Sequence, residues 1–279
     1  MSGRDYYAKR HGEKLDPLDF KTLKSLFLVK FEALEKELFF QEAKGYSCVD
    51  AGEVPGIWGT NPEAFFFMNI RIHDLWPISQ NIERYTENAF FSVVEFLFDY
   101  VSQPENVWYH GFNQCGWHSS CYDKEKGRAK YRQEINTTLK DYQDGYELSE
   151  EGLILKIAPS GMEPMFTPVI STADPQNIDD LVKCAILKFR RLGATLDEKK
   201  DAVRTLGDVL EYLKKAGVKL PGKDDSDIFN IINGFDIRHH NPEQKKNYDK
   251  EIWYDWLFFT SLASIRALLT LESKFSKKI

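Results

Sequence analysis

Apolar residues recur at helical spacing in several separate stretches of this 279-residue chain, divided by glycine- and proline-rich segments. Leu23, Phe27, Phe31 and Leu34 share one helical face and predict a helix running to about Phe40. Asp16-Pro17-Leu18-Asp19 supplies its start, an acidic cap near a proline. Thr86 to Val101 predicts a second strong helix, with Phe90, Val94, Leu97 and Val101 on one side and Ser102-Gln103-Pro104 at its end. Between these two, Ala43 to Asn61 carries Gly45, Gly52, Pro55, Gly56 and Gly59 and reads as an irregular loop. Pro62 to Ile70 fits a short helix or an extended piece equally well, and Asp74-Leu-Trp-Pro77 reads as a turn. A polar amphipathic helix is expected over roughly Gly127 to Tyr142. Tyr146 to Ile157 then reads as a β-hairpin, two apolar runs flanking an acidic turn closed by Gly152.

From Asn177 the pattern is almost purely helical. Ile178 to Leu192 ends at Gly193, where a residue without Cβ accepts the left-handed cap conformation. Thr195-Leu-Asp-Glu198 has the spacing of a capping box, and its helix continues through Val203, Leu206, Leu210 and Leu213 to Gly217. Ser226 to Phe235 and Tyr248 to Phe275 follow, the last being the most apolar. The expected fold is mainly α, with an N-terminal α+β region over 1–165 that includes a small hairpin, and a C-terminal helical bundle over 166–279. Short loops favour antiparallel neighbours in that bundle.

Composition narrows the function classes. A net charge of −6 argues against a general nucleic-acid coating protein but leaves room for a local basic site. Lys183, Lys188, Arg190, Arg191, Lys199, Lys200 and Arg204 offer one, interrupted by Asp197, Glu198 and Asp201; a solvated helix face is the expectation there. Cys48, Cys115, Cys121 and Cys184 are too few and scattered for a disulfide framework. No apolar run approaches bilayer length, and Met1-Ser-Gly-Arg-Asp lacks a signal-peptide segment. The expectation is a cytoplasmic protein with reduced thiols, no membrane association and no cofactor, since no phosphate loop, nucleophile elbow or His-Glu-x-x-His is present.

Two stretches carry distinctive chemistry. In Asn106 to Asp123, His110, Cys115, His118 and Cys121 are zinc-binding residue types, and Cys115-x₂-His118-x₂-Cys121 is compact. The spacing is atypical of structural zinc sites, and Trp108, Tyr109, Phe112 and Trp117 interleave it. A buried aromatic loop without metal is therefore expected, with a zinc-stabilised interaction protein as the alternative. The second stretch, Phe235-Asp-Ile-Arg-His-His-Asn-Pro-Glu243, places Arg238, His239, His240 and Asn241 consecutively before the last helix. Arg is a permanent cation suited to phosphate, and His titrates near neutrality. In a purely structural reading, Asn241 caps the last helix, His239 bonds a carbonyl and Arg238 pairs with Asp236 or Glu243.

Ile237-Arg-His-His-Asn-Pro-Glu-Gln-Lys245, followed by Ile252-Trp-Tyr-Asp-Trp-Leu-Phe-Phe259, resembles the C-terminal helices of HEPN-like proteins of abortive-infection systems. Tyr6-Tyr-Ala-Lys-Arg-His-Gly12 is similar to the start of a small domain in AbiJ-type proteins. The resemblance implies a four-helix HEPN fold, frequently a homodimer, whose active members are metal-independent ribonucleases. Their signature is an Arg, a polar residue directly after it, and a His separated from the Arg by four to six residues. Arg238 and His239 match the first two elements, whereas no His follows Asn241. The implied function is an anti-phage or toxin-type effector acting on RNA, with Arg238, His239, His240 and Asn241 as its site. The alternative within the resemblance is a non-catalytic module binding RNA, a nucleotide or a protein partner.

Overall fold

A computed structural model of the chain describes residues 6–13, 16–166, 172–218, 224–237, 244–245 and 247–276. It is mainly helical, with small two-stranded antiparallel sheets. Among the described residues no helix is long and apolar enough to cross a membrane. The chain divides into two compact units, Met1–Lys156 and Ile157–Ile279. The division follows the last hairpin directly, where the sequence analysis places it at 165.

Unit 1 begins with a single turn, α1 (Tyr7–Arg10), then α2 (Phe20–Lys36), the turn α3 (Gln41–Lys44) and the hairpin β1 (Gly45–Cys48)–β2 (Gly52–Pro55). α4 (Pro62–Ile70), the turn α5 (Ile78–Asn81) and α6 (Glu87–Tyr100) follow. Next comes an interrupted hairpin: β3 (Gln103–Glu105) and β4 (Trp108–His110) run out, and β5 (Gly116–His118) and β6 (Cys121–Asp123) return. β4 pairs with β5, and β3 with β6. α7 (Lys124–Leu139) and the hairpin β7 (Tyr146–Leu148)–β8 (Ile154–Lys156) complete the unit.

The expected helix starts hold. Asp19 caps α2 by accepting from Thr22 N at 2.6 Å, and Thr86 caps α6. Asn61 caps α4, so the undecided Pro62–Ile70 stretch is a helix, with proline at its first position where no N–H is needed. The buried faces of α2, α6 and α7 meet in one core: Leu23, Phe27 and Phe31 against Phe90, Val94 and Leu97, with Tyr131 and Ile135 completing it. Tyr131 is fully enclosed, and its hydroxyl donates to Val94 O at 3.1 Å, satisfying a group that burial would otherwise penalise.

Two expectations fail in this unit. Ala43 to Asn61 is not wholly irregular: its glycines build the β1–β2 hairpin. Gly52 (φ 69°) closes the turn, and Gly45 (φ 76°) and Gly56 approach so closely that a Cβ on either would sit 2.2 Å from backbone atoms. The aromatic stretch after Asn106 is not buried either. Tyr109 and Trp117 face each other across β4–β5 at 56% and 55% exposure, and Phe112 at the tip is 67% exposed. Strand alternation explains this: one hairpin face carries His110 and His118, the opposite face Tyr109 and Trp117.

Unit 2 contains the turn α8 (Glu163–Phe166), then α9 (Asp180–Arg190), α10 (Leu196–Lys215), α11 (Asp224–Gly234) and α12 (Lys250–Ser276). The predicted capping box is present on α10, where Thr195 and Glu198 exchange hydrogen bonds. α9, α10 and α12 share a core of Ala185, Phe189, Leu206, Leu210, Leu257 and Phe258, joined by Ile232, Phe235 and Ile237. Phe189 stacks on Phe258 at 3.8 Å between ring centroids. The aromatic residues of α12 divide: Phe258 is core, whereas Trp253 and Trp256 are partly exposed.

Candidate functional site

Arg238, His239, His240 and Asn241 lie outside the described residues, which end at Ile237 and resume at Gln244. Phe235 and Lys245 form a parallel bridge, with Lys245 N donating to Gly234 O at 3.0 Å. The buried Gln244 donates to Asn233 O at 2.8 Å. Gln244 and Lys245 are thus held against the end of α11. On the N-terminal side, Lys200 Nζ engages Asp236 at 3.2 Å and Arg204 Nε donates to Ile237 O at 3.1 Å. Two cations one turn apart on α10 therefore hold the two residues directly before Arg238. The cap assigned to Asn241 belongs to Asp249, whose carboxylate accepts from Glu251 N and Ile252 N at 3.0 and 3.2 Å.

The basic stretch of α9 and α10 is a solvated, ion-paired surface, as its composition suggests. Lys188 meets Asp201, Lys199 meets Asp255 at 2.9 Å, and Lys200 meets Asp236. Hydrogen bonding to Asp201 holds the Lys188 ammonium above its ordinary pKa. These cations are locally neutralised and do not form a continuous phosphate track.

The other constellation is in unit 1, where the tertiary structure changes its membership. His110, Cys115 and His118 come together as the sequence suggests, but the fourth member is Cys48, at the end of β1. One ligand-type atom from each of these four residues lies within 4.8 Å of all the others. Cys48 Sγ is 3.5 Å from His110 Nδ1, and Cys115 Sγ is 3.2 Å from His118 Nε2. Cys121 is not part of the group: it is exposed on β6, opposite Glu105. It was adjacent to the others only along the chain. Cys48 stands 62 residues from His110, so no spacing rule links them.

Each side chain is positioned by an identifiable element. β1–β2 ends in the turn after Cys48, where backbone N–H groups of Ala51 and Asp50 point at the sulfur and pull the thiol down to about 7. Burial pushes the Cys115 thiol up. His118 is 1% exposed; its imidazole pKa is lowered, first by burial and then by His110. Its ring stacks between Tyr46 (4.4 Å) and Trp108 (4.8 Å), and its Nδ1 is buried without a hydrogen-bond partner. The other nitrogen of His110, Nε2, meets the exposed Asp50 carboxylate at 3.2 Å. Gln41 of α3, directly before β1, binds the β5–β6 stretch. Its amide donates to Trp117 O at 3.0 Å and accepts from Ser119 N at 2.8 Å, and the Tyr122 hydroxyl donates to it at 3.1 Å.

The arrangement gathers two thiols and two imidazoles, a donor set that softer divalent metals favour. No family model, curated protein or solved structure matches the chain.

Proposed function

We propose that the protein acts on RNA through unit 2, as an anti-phage or toxin-type effector with a HEPN-like four-helix fold. The observation that carries this reading is the anchoring of the Arg238 segment: Lys200 and Arg204 hold Asp236 and Ile237, and the bridge from Phe235 to Lys245 closes the loop. The likeness of residues 237–259 to HEPN-like C-terminal helices supports the same reading.

The chemistry requires three groups. A base takes the ribose 2′-OH proton, a cation stands beside the pentavalent phosphate, and an acid protonates the leaving oxygen. Arg238 supplies the cation through its planar fork. His239 or His240 supplies the base, and the same residue of a second copy supplies the acid. Ile252, Trp253 and Trp256, exposed on α12, support self-association through the last helix.

A second reading, an interaction protein built on unit 1, is favoured by the exposed aromatic face of β4–β5 beside the Cys/His cluster.

Cleavage of total RNA and tRNA by the purified chain, without added divalent metal, separates the two readings. Arg238→Ala and His239→Ala/His240→Ala are expected to lose about 10²-fold or more of the parent rate. Equal cleavage by all three chains, or none by a folded parent, would count against the RNA reading. An EDTA arm belongs beside a circular-dichroism trace, because chelation that unfolds unit 1 would abolish activity for an unrelated reason.

A further inference from the structure

We propose that Cys48, His110, Cys115 and His118 bind one zinc ion that staples the β1–β2 hairpin to the β4–β5 hairpin. This site is independent of the RNA reading and uses none of its residues.

The spacing of the donor atoms is the first argument. Zinc binds thiolate sulfur at about 2.3 Å and imidazole nitrogen at about 2.0–2.1 Å in a tetrahedron, so neighbouring ligands stand roughly 3.3–3.8 Å apart. The two sulfur–nitrogen pairs here are 3.5 and 3.2 Å apart, and no pair among the four exceeds 4.8 Å. Closing the set around a single centre shortens even the widest separation, at most 4.8 Å, by no more than roughly 1–1.5 Å.

The surroundings are those of ligands. The Asp50 carboxylate on His110 Nε2 keeps the proton on that nitrogen and turns the Nδ1 lone pair toward Cys48. A carboxylate behind a metal-bound imidazole does this work in zinc sites generally. Without a metal the contacts within the set are poor. A thiol is a weak donor and a weak acceptor, yet two thiols and two imidazoles are drawn together here, with Cys48 and His118 buried. Two thiolates and two neutral imidazoles balance the charge of Zn²⁺, and binding releases the thiol protons to solvent.

The topology supplies the reason for a staple. β1 and β2 have four residues each, and β4 and β5 three each. No ladder joins the two hairpins. Isolated two-stranded hairpins of this size are marginal in water. The metal would connect residue 48 to residues 110–118 across a long chain loop, where a cross-link restricts the unfolded chain most. Four protein donors leave no open coordination position, so the role is structural and not catalytic.

The test uses the full chain. Elemental analysis after purification under reducing conditions should find about one zinc per chain in the parent and in Cys121→Ser, and a loss of most of it in Cys48→Ser and Cys115→Ser. Since those two variants can misfold, the parent is also stripped and titrated with cobalt(II). Tetrahedral thiolate coordination gives intense d–d bands and a sulfur charge-transfer band. Asp50→Asn should weaken zinc about 10- to 100-fold in competition with a chelating dye, with the same cobalt spectrum. A weak octahedral cobalt spectrum, no metal uptake at all, or full zinc retention by Cys48→Ser/Cys115→Ser would each overturn the proposal.

Discussion

The two units solve the problem of placing polar chemistry in opposite ways. In unit 2 the distinctive residues are consecutive in sequence, and the surrounding helices anchor the ends of the segment that carries them. In unit 1 the distinctive residues come from two separate hairpins, and only the fold brings Cys48 to His110 and His118. A helix satisfies its own backbone and can rely on one apolar face. A three-residue strand pair cannot, and must borrow stability from what it is attached to. Gln41 and the proposed metal are two such attachments. The lesson is that a contiguous run of reactive residues draws the eye in a sequence, while the better-defined cluster showed three of its members locally and gave no local sign of Cys48.

The comparison can be broken most forcefully at the cores. Phe27→Ala in unit 1 and Leu206→Ala in unit 2 remove fully enclosed side chains. Each is expected to cost about 3–5 and 2–5 kcal/mol respectively, read as a shift in urea midpoint at constant slope. A loss below about 1 kcal/mol at either position would mean that the helical core is not what holds that unit.

Gln41→Ala comes next. It strips partners from Trp117 O, Ser119 N and the Tyr122 hydroxyl, and should cost about 1–3 kcal/mol. Hydrogen exchange should quicken first at residues 116–119. If exchange there is unchanged, the hairpins are held together by something other than Gln41.

Thr195→Ala removes the capping box of α10, and a loss of about 1 kcal/mol is expected in unit 2. Lys188→Ala on α9 breaks a half-exposed ion pair to Asp201 of α10 and should change stability by about 0–1 kcal/mol. Reversal of that order would show that the charged face carries more of unit 2 than its exposure suggests.

The smallest effect is a pH dependence in unit 1. Lys130 and Lys30 hold the Glu134 carboxyl below its ordinary range. A depressed folded pKa contributes stability that is fully present above the unfolded value and disappears as pH falls through the folded one. Glu134→Gln should therefore lower stability in the neutral region and converge on the parent in acid, which flattens the acid limb of the stability curve. An unaltered acid limb would show that the two lysines do no more than decorate the surface.

The sequence by itself determined most of the longer helices, several of their caps and the last hairpin. Asp19, Thr86 and Thr195 satisfy the first amides of their own helices, and the apolar faces of α2, α6 and α10 repeat within a few residues. Such signals are local and survive without knowledge of the rest of the chain. The tertiary structure alone decided that Gly45 to Pro55 is a hairpin, that the aromatics of β4–β5 face outward, and that Cys48 joins the Cys/His cluster while Cys121 does not. Those outcomes depend on which strand lies against which, a relation between residues far apart along the chain, and neither periodicity nor motif spacing encodes it.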